Sequence, residues 1–166
     1  MSYLDTSVII AYCVEGDPHH NKAVNIVEKL RQDKFYGSPI TLVELYSVIS
    51  RNIQRYKLPP GIEEITNYKI KLLITVKYFL QLIPLHLISD EAKLGDFDQL
   101  KLFHKFLDAI DLADKLKLRT LDLLHIVYAG QLSKKGLIKY FVTFDSDFLD
   151  KKEVILENIG VEVITE

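Results

Sequence analysis

Ser2-Tyr3-Leu4-Asp5-Thr6-Ser7-Val8-Ile9-Ile10 is the stretch that decides the fold. Ser2–Asp5 reads as a short strand. Asp5-Thr6-Ser7 then turns the chain into a helical run over Val8–Val14, which Gly16-Asp17-Pro18 breaks. A strand that passes straight into a helix is half of a βα unit, and βα units build parallel sheets. The far end repeats this grammar. Lys139–Phe144 is the most strand-like stretch of the chain, and Phe144-Asp145-Ser146-Asp147-Phe148 follows it.

Between these ends, short β-type runs alternate with longer helical ones. A helix is expected from about His19 to Arg31, where Ala23, Ile26, Val27 and Leu30 have amphipathic spacing. His19-His20 reads as its solvated start. Phe35–Gly37 is a second small strand. Ser38-Pro39 has the form of an N-cap followed by proline at the first helical position. The helix it opens carries Leu42, Val43, Leu45, Tyr46, Ile49 and Ile53 and is expected to end near Tyr56, before Pro59-Pro60-Gly61. Ile62–Leu80 is expected as one long helix, Leu82–Ile88 as a strand, and Asp90–Leu118 as helix with a break around Gly95-Asp96. Thr120 is the expected cap of Leu121–Lys134, which Gly136 ends, and Val161–Thr165 is a final edge strand.

Composition narrows the function classes. The chain has 166 residues, 48% apolar and 27% charged. That is ordinary globular usage and enough length for one domain with a single core. Lys and Arg number 21 against 23 Asp and Glu, a net charge of -2. This excludes a polybasic nucleic-acid coat, but not a nucleic-acid substrate, because affinity follows the placement of charge. The single Cys13 cannot form an internal disulfide, and the opening residues lack a basic n-region, so a reducing cytoplasm is expected. Neither apolar stretch, Ile70–Leu87 or Leu121–Leu132, is free of charged or breaking residues, so no membrane association is expected.

Four carboxylates stand apart. Asp5 and Asp145 each follow a strand, and in an open parallel sheet ligands bind outside the carboxyl ends of the strands. Asp122 lies in the first turn of an otherwise apolar helix, and Glu44 is flanked by Ile40-Thr41-Leu42-Val43 and Leu45-Tyr46. Each alone has a plain structural reading as a turn residue, a helix-dipole partner or a polar helix edge. Gathered in one pocket they would repel one another, and a divalent cation resolves that repulsion. Oxygen donors without His/Cys spacing suit Mg²⁺ or Mn²⁺ better than Zn²⁺.

In that order and context, the segments Leu4-Asp5-Thr6-Ser7-Val8-Ile9-Ile10, Thr41-Leu42-Val43-Glu44-Leu45, Leu121-Asp122-Leu123-Leu124-His125-Ile126-Val127-Tyr128-Ala129 and Val142-Thr143-Phe144-Asp145-Ser146-Asp147-Phe148 resemble the motifs of PIN-domain nucleases. The resemblance spans Ser2 to Phe148, and the size is most similar to the toxin component of VapBC toxin–antitoxin pairs. It implies a three-layer α/β fold, a central mainly parallel sheet flanked by helices. It implies a ribonuclease in which Asp5, Glu44, Asp122 and Asp145 are catalytic and hold one or two Mg²⁺ or Mn²⁺ ions. Thr6, Ser7 and Thr143 match positions whose hydroxyls support the site. Asp147 is either an outer ligand or a solvated loop acid. The implied partners are RNA as substrate, a cognate antitoxin protein that covers or plugs the site, and a second copy in a homodimer.

One departure stands out. Within a single domain over residues 1–166, segment 57–117 is long and helix-rich, suited to enlarging a dimer surface, gripping an antitoxin or shaping substrate access. His125, three residues after Asp122, reads as a core or supporting histidine. Arg51, Arg55, Lys57, Arg119, Lys134, Lys135 and Lys139 are candidate phosphate contacts, and Asp90, Glu91, Asp96 and Asp98 an acidic surface patch. Two rival readings stay open. One is a non-catalytic RNA- or protein-binding module. The other is a haloacid-dehalogenase-like phosphatase, against which Ser7 stands where that chemistry needs a second aspartate.

Overall fold

A computed structural model of the chain describes residues 1–31, 34–89 and 92–165. The chain begins with β1 (Ser2–Leu4), α1 (Thr6–Cys13), α2 (His20–Lys29), β2 (Phe35–Gly37), α3 (Pro39–Asn52), α4 (Pro60–Glu63), α5 (Tyr68–Leu82) and β3 (Leu85–Leu87). It continues with β4 (Leu94–Phe97), β5 (Leu100–Phe103), α6 (His104–Leu116), α7 (Thr120–Lys134), β6 (Tyr140–Val142), α8 (Ser146–Leu149), α9 (Lys152–Ile159) and β7 (Glu162–Ile164).

Five strands form one sheet in the order β3-β2-β1-β6-β7, and every pairing in it is parallel. Alternation along the strands makes two cores. Leu4, Phe35 and Val142 face α1, α2, α3 and α5, packing with Val8, Ile26, Leu45, Ile49 and Phe79. Tyr3 and Phe141 face the opposite side, with Leu116, Ile126, Leu132, Phe148 and Ile155 from the later helices. Period-two alternation in central strands buried on both faces requires apolar residues at every position, which Tyr3-Leu4 and Phe141-Val142 supply.

The chain winds from β1 outward to β2 and β3, then returns to place β6 on the other side of β1. The winding direction therefore reverses between β1 and β6, and the crevice at their carboxyl ends is the topological switch point. Asp5 and Asp145 flank it.

Ser38 caps α3 as expected. Its hydroxyl accepts from the Thr41 N–H, the Thr41 hydroxyl accepts from the Ser38 N–H, and Pro39 takes the first position. Three expectations fail. The long helix over Ile62–Leu80 is two helices, because Asn67 accepts from the Ile70 N–H and starts α5 anew. The helix over Asp90–Leu118 covers only His104–Leu116. Leu94–Phe103 is an antiparallel hairpin apart from the main sheet, turning at Asp98 with φ 54°. Leu100-Lys101-Leu102-Phe103 carries the alternation that signals this strand, and aspartate tolerates the left-handed turn. Of the expected acidic surface patch, Asp96 and Asp98 are exposed on the hairpin, Asp96 paired with Lys101, while Asp90 and Glu91 lie outside the described residues. Thr120 does not cap α7, since Arg119 holds the cap position with no side-chain capping bond.

Candidate active site

The crevice between β1 and β6 opens into a pocket of about 690 Å³ that Asp5, Glu44, Asp122 and Asp145 all line. Each arrives on a different element. Asp5 ends β1 and caps α1, accepting from the Thr6 N–H at 2.7 Å. Glu44 lies in the second turn of α3 and Asp122 in the first turn of α7. Asp145 follows β6 and caps α8, accepting from the Asp147 N–H at 2.9 Å.

Asp5 is buried and held from three sides. Beyond the Thr6 N–H, its Oδ2 accepts from the Ser7 hydroxyl at 2.6 Å and the Thr143 hydroxyl at 2.8 Å. Both hydroxyls also accept, Ser7 from the Phe144 N–H and Thr143 from the Asp145 N–H. Two of these four bonds, Thr143 to Asp5 and the Phe144 N–H to Ser7, tie the end of β1 to the end of β6. Thr6 serves through its main chain, and its buried hydroxyl lies beside Glu44 without the geometry of a hydrogen bond.

The carboxylates form two groups. Within each, one ligand-capable atom per residue lies within 4.8 Å of the others: Asp5, Glu44 and His125 on the inner side, Asp122, Asp145 and Asp147 on the outer. His125 is fully buried. Its Nε2 donates to Glu44 Oε2 at 2.8 Å and stands 3.8 Å from Asp5 Oδ1. Its Nδ1 lies 2.7 Å from the Tyr3 hydroxyl, which donates to Ser38 Oγ at 2.7 Å. Burial pushes the imidazole toward its neutral form, but the Glu44 bond and the charges of Asp5, Glu44 and Asp122 outweigh it and hold the pKa above the usual histidine value. Burial likewise pushes Glu44 up, and the His125 bond and charge bring it below the usual value. With both ring nitrogens protonated, Glu44 and Tyr3 each accept from one.

On the outer side Arg119 reaches three acids. Its Nε donates to Asp122 at 3.0 Å, and its Nη2 to Asp145 at 2.6 Å with Asp147 at 3.3 Å. Burial, then the charges of Asp145 and Asp5, still leave Asp122 above the usual carboxylate range, despite Arg119. The donors are mainly oxygen, and Mg²⁺ or Mn²⁺ suits such a set. The residues present therefore fit a divalent ion.

The sequence reading missed Tyr3, Asp17 and His19. Asp17 and His19 line the pocket, and the His19 ring stacks on Phe144 with centroids 5.0 Å apart. Their signal was Gly16-Asp17-Pro18, read only as a helix break. Among the basic candidates, Arg119 alone lines this pocket. Lys134 and Lys135 sit at the far end of α7, about 20 Å along a helix of that length. Lys139 precedes β6, at the opposite edge of the sheet.

Fold and site together define an α/β protein with an acidic pocket at the switch point of a parallel sheet. The chain belongs to the PIN domain family, which matches residues 2–154. Among solved structures it is similar to VapC20 of Mycobacterium tuberculosis, a sarcin-ricin loop cleaving toxin. That likeness has 16% identity and a TM-score of 0.57, covering 90% of this chain and 94% of that one. It is also similar to VapBC2 of Rickettsia felis, solved bound to a DNA fragment from its promoter, at 16% identity and TM-score 0.54, covering 99% and 98%. FitAcB of Neisseria gonorrhoeae gives 16% identity and TM-score 0.53, covering 99% and 96%. These likenesses establish the fold. No curated protein sequence matches the chain.

Proposed function

We propose that this protein is a metal-dependent endoribonuclease, the toxin of a VapBC-type toxin–antitoxin pair. The observation that carries the reading is the convergence of Asp5, Glu44, Asp122 and Asp145, from four separate elements, on one pocket at the switch point. Membership of the PIN domain family and likeness to a toxin that cleaves the sarcin-ricin loop support RNA as the substrate.

In this reading the four carboxylates hold Mg²⁺ or Mn²⁺. When bound, the ion supplies Lewis-acid stabilisation of the phosphodiester and lowers the pKa of the attacking water. The chain's own residues do the rest. Ser7 and Thr143 fix the Asp5 carboxylate and hold the ends of β1 and β6 together. His125 fixes Glu44, and Arg119 places a positive charge beside Asp145. The stacked His19 and Phe144 rings give the pocket wall a flat apolar face of the kind on which bases stack.

The likeness in fold to VapBC2 and FitAcB supports an antitoxin as partner. The exposed side chains of Leu94, Phe97, Leu100, Phe103, Phe106 and Ile110, all within segment 57–117, supply apolar surface for a second copy in a homodimer. Among the described residues no helix is long and apolar enough to cross a membrane. A cytoplasmic site of action completes the proposal.

The test is cleavage of RNA by the purified protein with added Mg²⁺ or Mn²⁺, beside Asp5→Asn and an EDTA control. Metal-dependent cutting that Asp5→Asn abolishes is the expected result. Absence of cutting together with absence of metal binding would overturn the proposal in favour of a binding module.

A further inference from the structure

The outer acids are already served by a cation that belongs to the chain. Arg119 sits at the cap position of α7, three residues before Asp122, and its guanidinium turns back to bridge Asp122, Asp145 and Asp147. The planar fork of an arginine matches several carboxylate oxygens at once, which a lysine ammonium does not. The commitment is heavy on the acids' side. Both oxygens of Asp145 are engaged, Oδ2 by Arg119 and Oδ1 by the Asp147 N–H. Asp147 is drawn in by the same Nη2. Arg119 keeps its charge at any working pH, so an ion approaching this side meets a fixed positive group.

The inner side differs. Among the described residues its one cationic neighbour, the His125 imidazole, is bonded to Glu44 and stands 3.8 Å from Asp5, whose own hydrogen bonds come from neutral donors: the Thr6 N–H and the hydroxyls of Ser7 and Thr143. Asp122 meets Arg119 through one oxygen, Oδ2, and is close enough to Asp5 for the two charges to interact. Asp5, Glu44 and Asp122 thus share one imidazole, and Asp5 is the acid among them with no charged hydrogen-bond donor among the described residues.

We infer that Arg119 takes the place of a second metal ion in the outer half of the pocket, so that each chain binds a single divalent ion, on the Asp5 side. This rests on the proposed metal-dependent function and narrows its four-carboxylate ligand set to Asp5, Glu44 and Asp122. Asp145 and Asp147 then act as anchors for the guanidinium, and Arg119 is a positioning residue that keeps the outer acids together without an ion.

The experiment counts Mn²⁺ bound per full-length chain by calorimetry and by electron paramagnetic resonance. The wild-type chain is expected to bind one ion. Arg119→Gln is expected to bind two, the second more weakly, because the outer acids lose their resident cation. Asp147→Asn in the wild-type background is expected to keep one ion with affinity within about threefold. Loss of a ligand or of its supporting partner would instead cost roughly ten- to a hundredfold. Two ions on the wild-type chain, one ion on Arg119→Gln, or a tenfold loss in Asp147→Asn would each overturn the inference. The Asp147→Asn arm decides the matter even if Arg119→Gln misfolds. Absence of Mn²⁺ from every variant would sink the metal-dependent reading itself, a separate outcome from one ion on both wild type and Arg119→Gln.

Discussion

The imidazole Nε2 of His125, fully buried on α7, lies 2.8 Å from Oε2 of Glu44 on α3. This contact joins two helices that carry two of the four pocket carboxylates. It also closes a ring: His125 meets the Tyr3 hydroxyl, Tyr3 donates to Ser38, and Ser38 caps the helix that presents Glu44. The same cap that starts α3 therefore fixes where Glu44 points. A half-buried carboxylate held this way loses little rotamer entropy when it takes a ligand.

Replacing His125 with Asn removes the donor to Glu44 and the partner of Tyr3. Supporting partners of metal ligands contribute about ten- to a hundredfold in metal affinity. The expected outcome is a fall of that size in Mn²⁺ affinity by calorimetry, with the fold retained by circular dichroism. An unchanged affinity would show that Glu44 is positioned by its helix alone.

The same pair sets a pH dependence in metal-free protein. The His125 pKa is raised on folding, so its contribution is full below the ordinary value of 6.5 and fades as pH rises through the folded value. The Glu44 pKa is lowered, so its contribution is full above 4.5 and fades as pH falls through the folded value. With EDTA present, the stability advantage of wild type over His125→Asn is expected to peak between pH 4.5 and 6.5 and to shrink on both sides. Thermal melts across pH 3–9 (roughly the span of these transitions) check this, and a flat difference would contradict it.

Thr143 is fully buried and both donates to Asp5 and accepts from the Asp145 N–H. Thr143→Val keeps the shape and deletes both bonds. Because one bond is to a charged group, the expected loss in urea denaturation is about 1.5–3 kcal/mol. Thr143→Ser should retain most of the stability. Equal losses in the two variants would assign the effect to packing.

Cys13 is largely enclosed, and its thiol donates to the Phe79 carbonyl at 3.6 Å. Burial pushes its pKa up to about 12. The reactive thiolate is therefore scarce at neutral pH. Iodoacetamide at pH 8 is expected to modify the folded protein far more slowly than the urea-unfolded chain, with mass spectrometry as the readout. Equal rates would contradict the enclosure.

Much of this molecule was legible in the linear sequence. Strand-to-helix steps at Ser2–Ser7 and Lys139–Phe148 announced a parallel sheet, because strand and helix periodicities are local properties. Ser38-Pro39 announced the start of α3, because capping is settled by a few neighbouring residues. Asp5 and Asp145 stood out by following strands, and Glu44 and Asp122 as charges in apolar surroundings. The hairpin at Leu94–Phe103 was not read, since the alternation at Leu100–Phe103 is only four residues long and its strand pairs only with its hairpin neighbour.

The tertiary structure alone decided which of these groups meet. Placing β6 beside β1, across a change in winding direction, brings Asp145 next to Asp5 from 140 positions away. Nothing local encodes that adjacency, because it depends on how the two cores pack on either face of the sheet. The division of the acids into an inner group with His125 and an outer group under Arg119 is likewise a product of packing. The sequence determined which charges the protein must keep compensated, and the fold determined which cation compensates each of them.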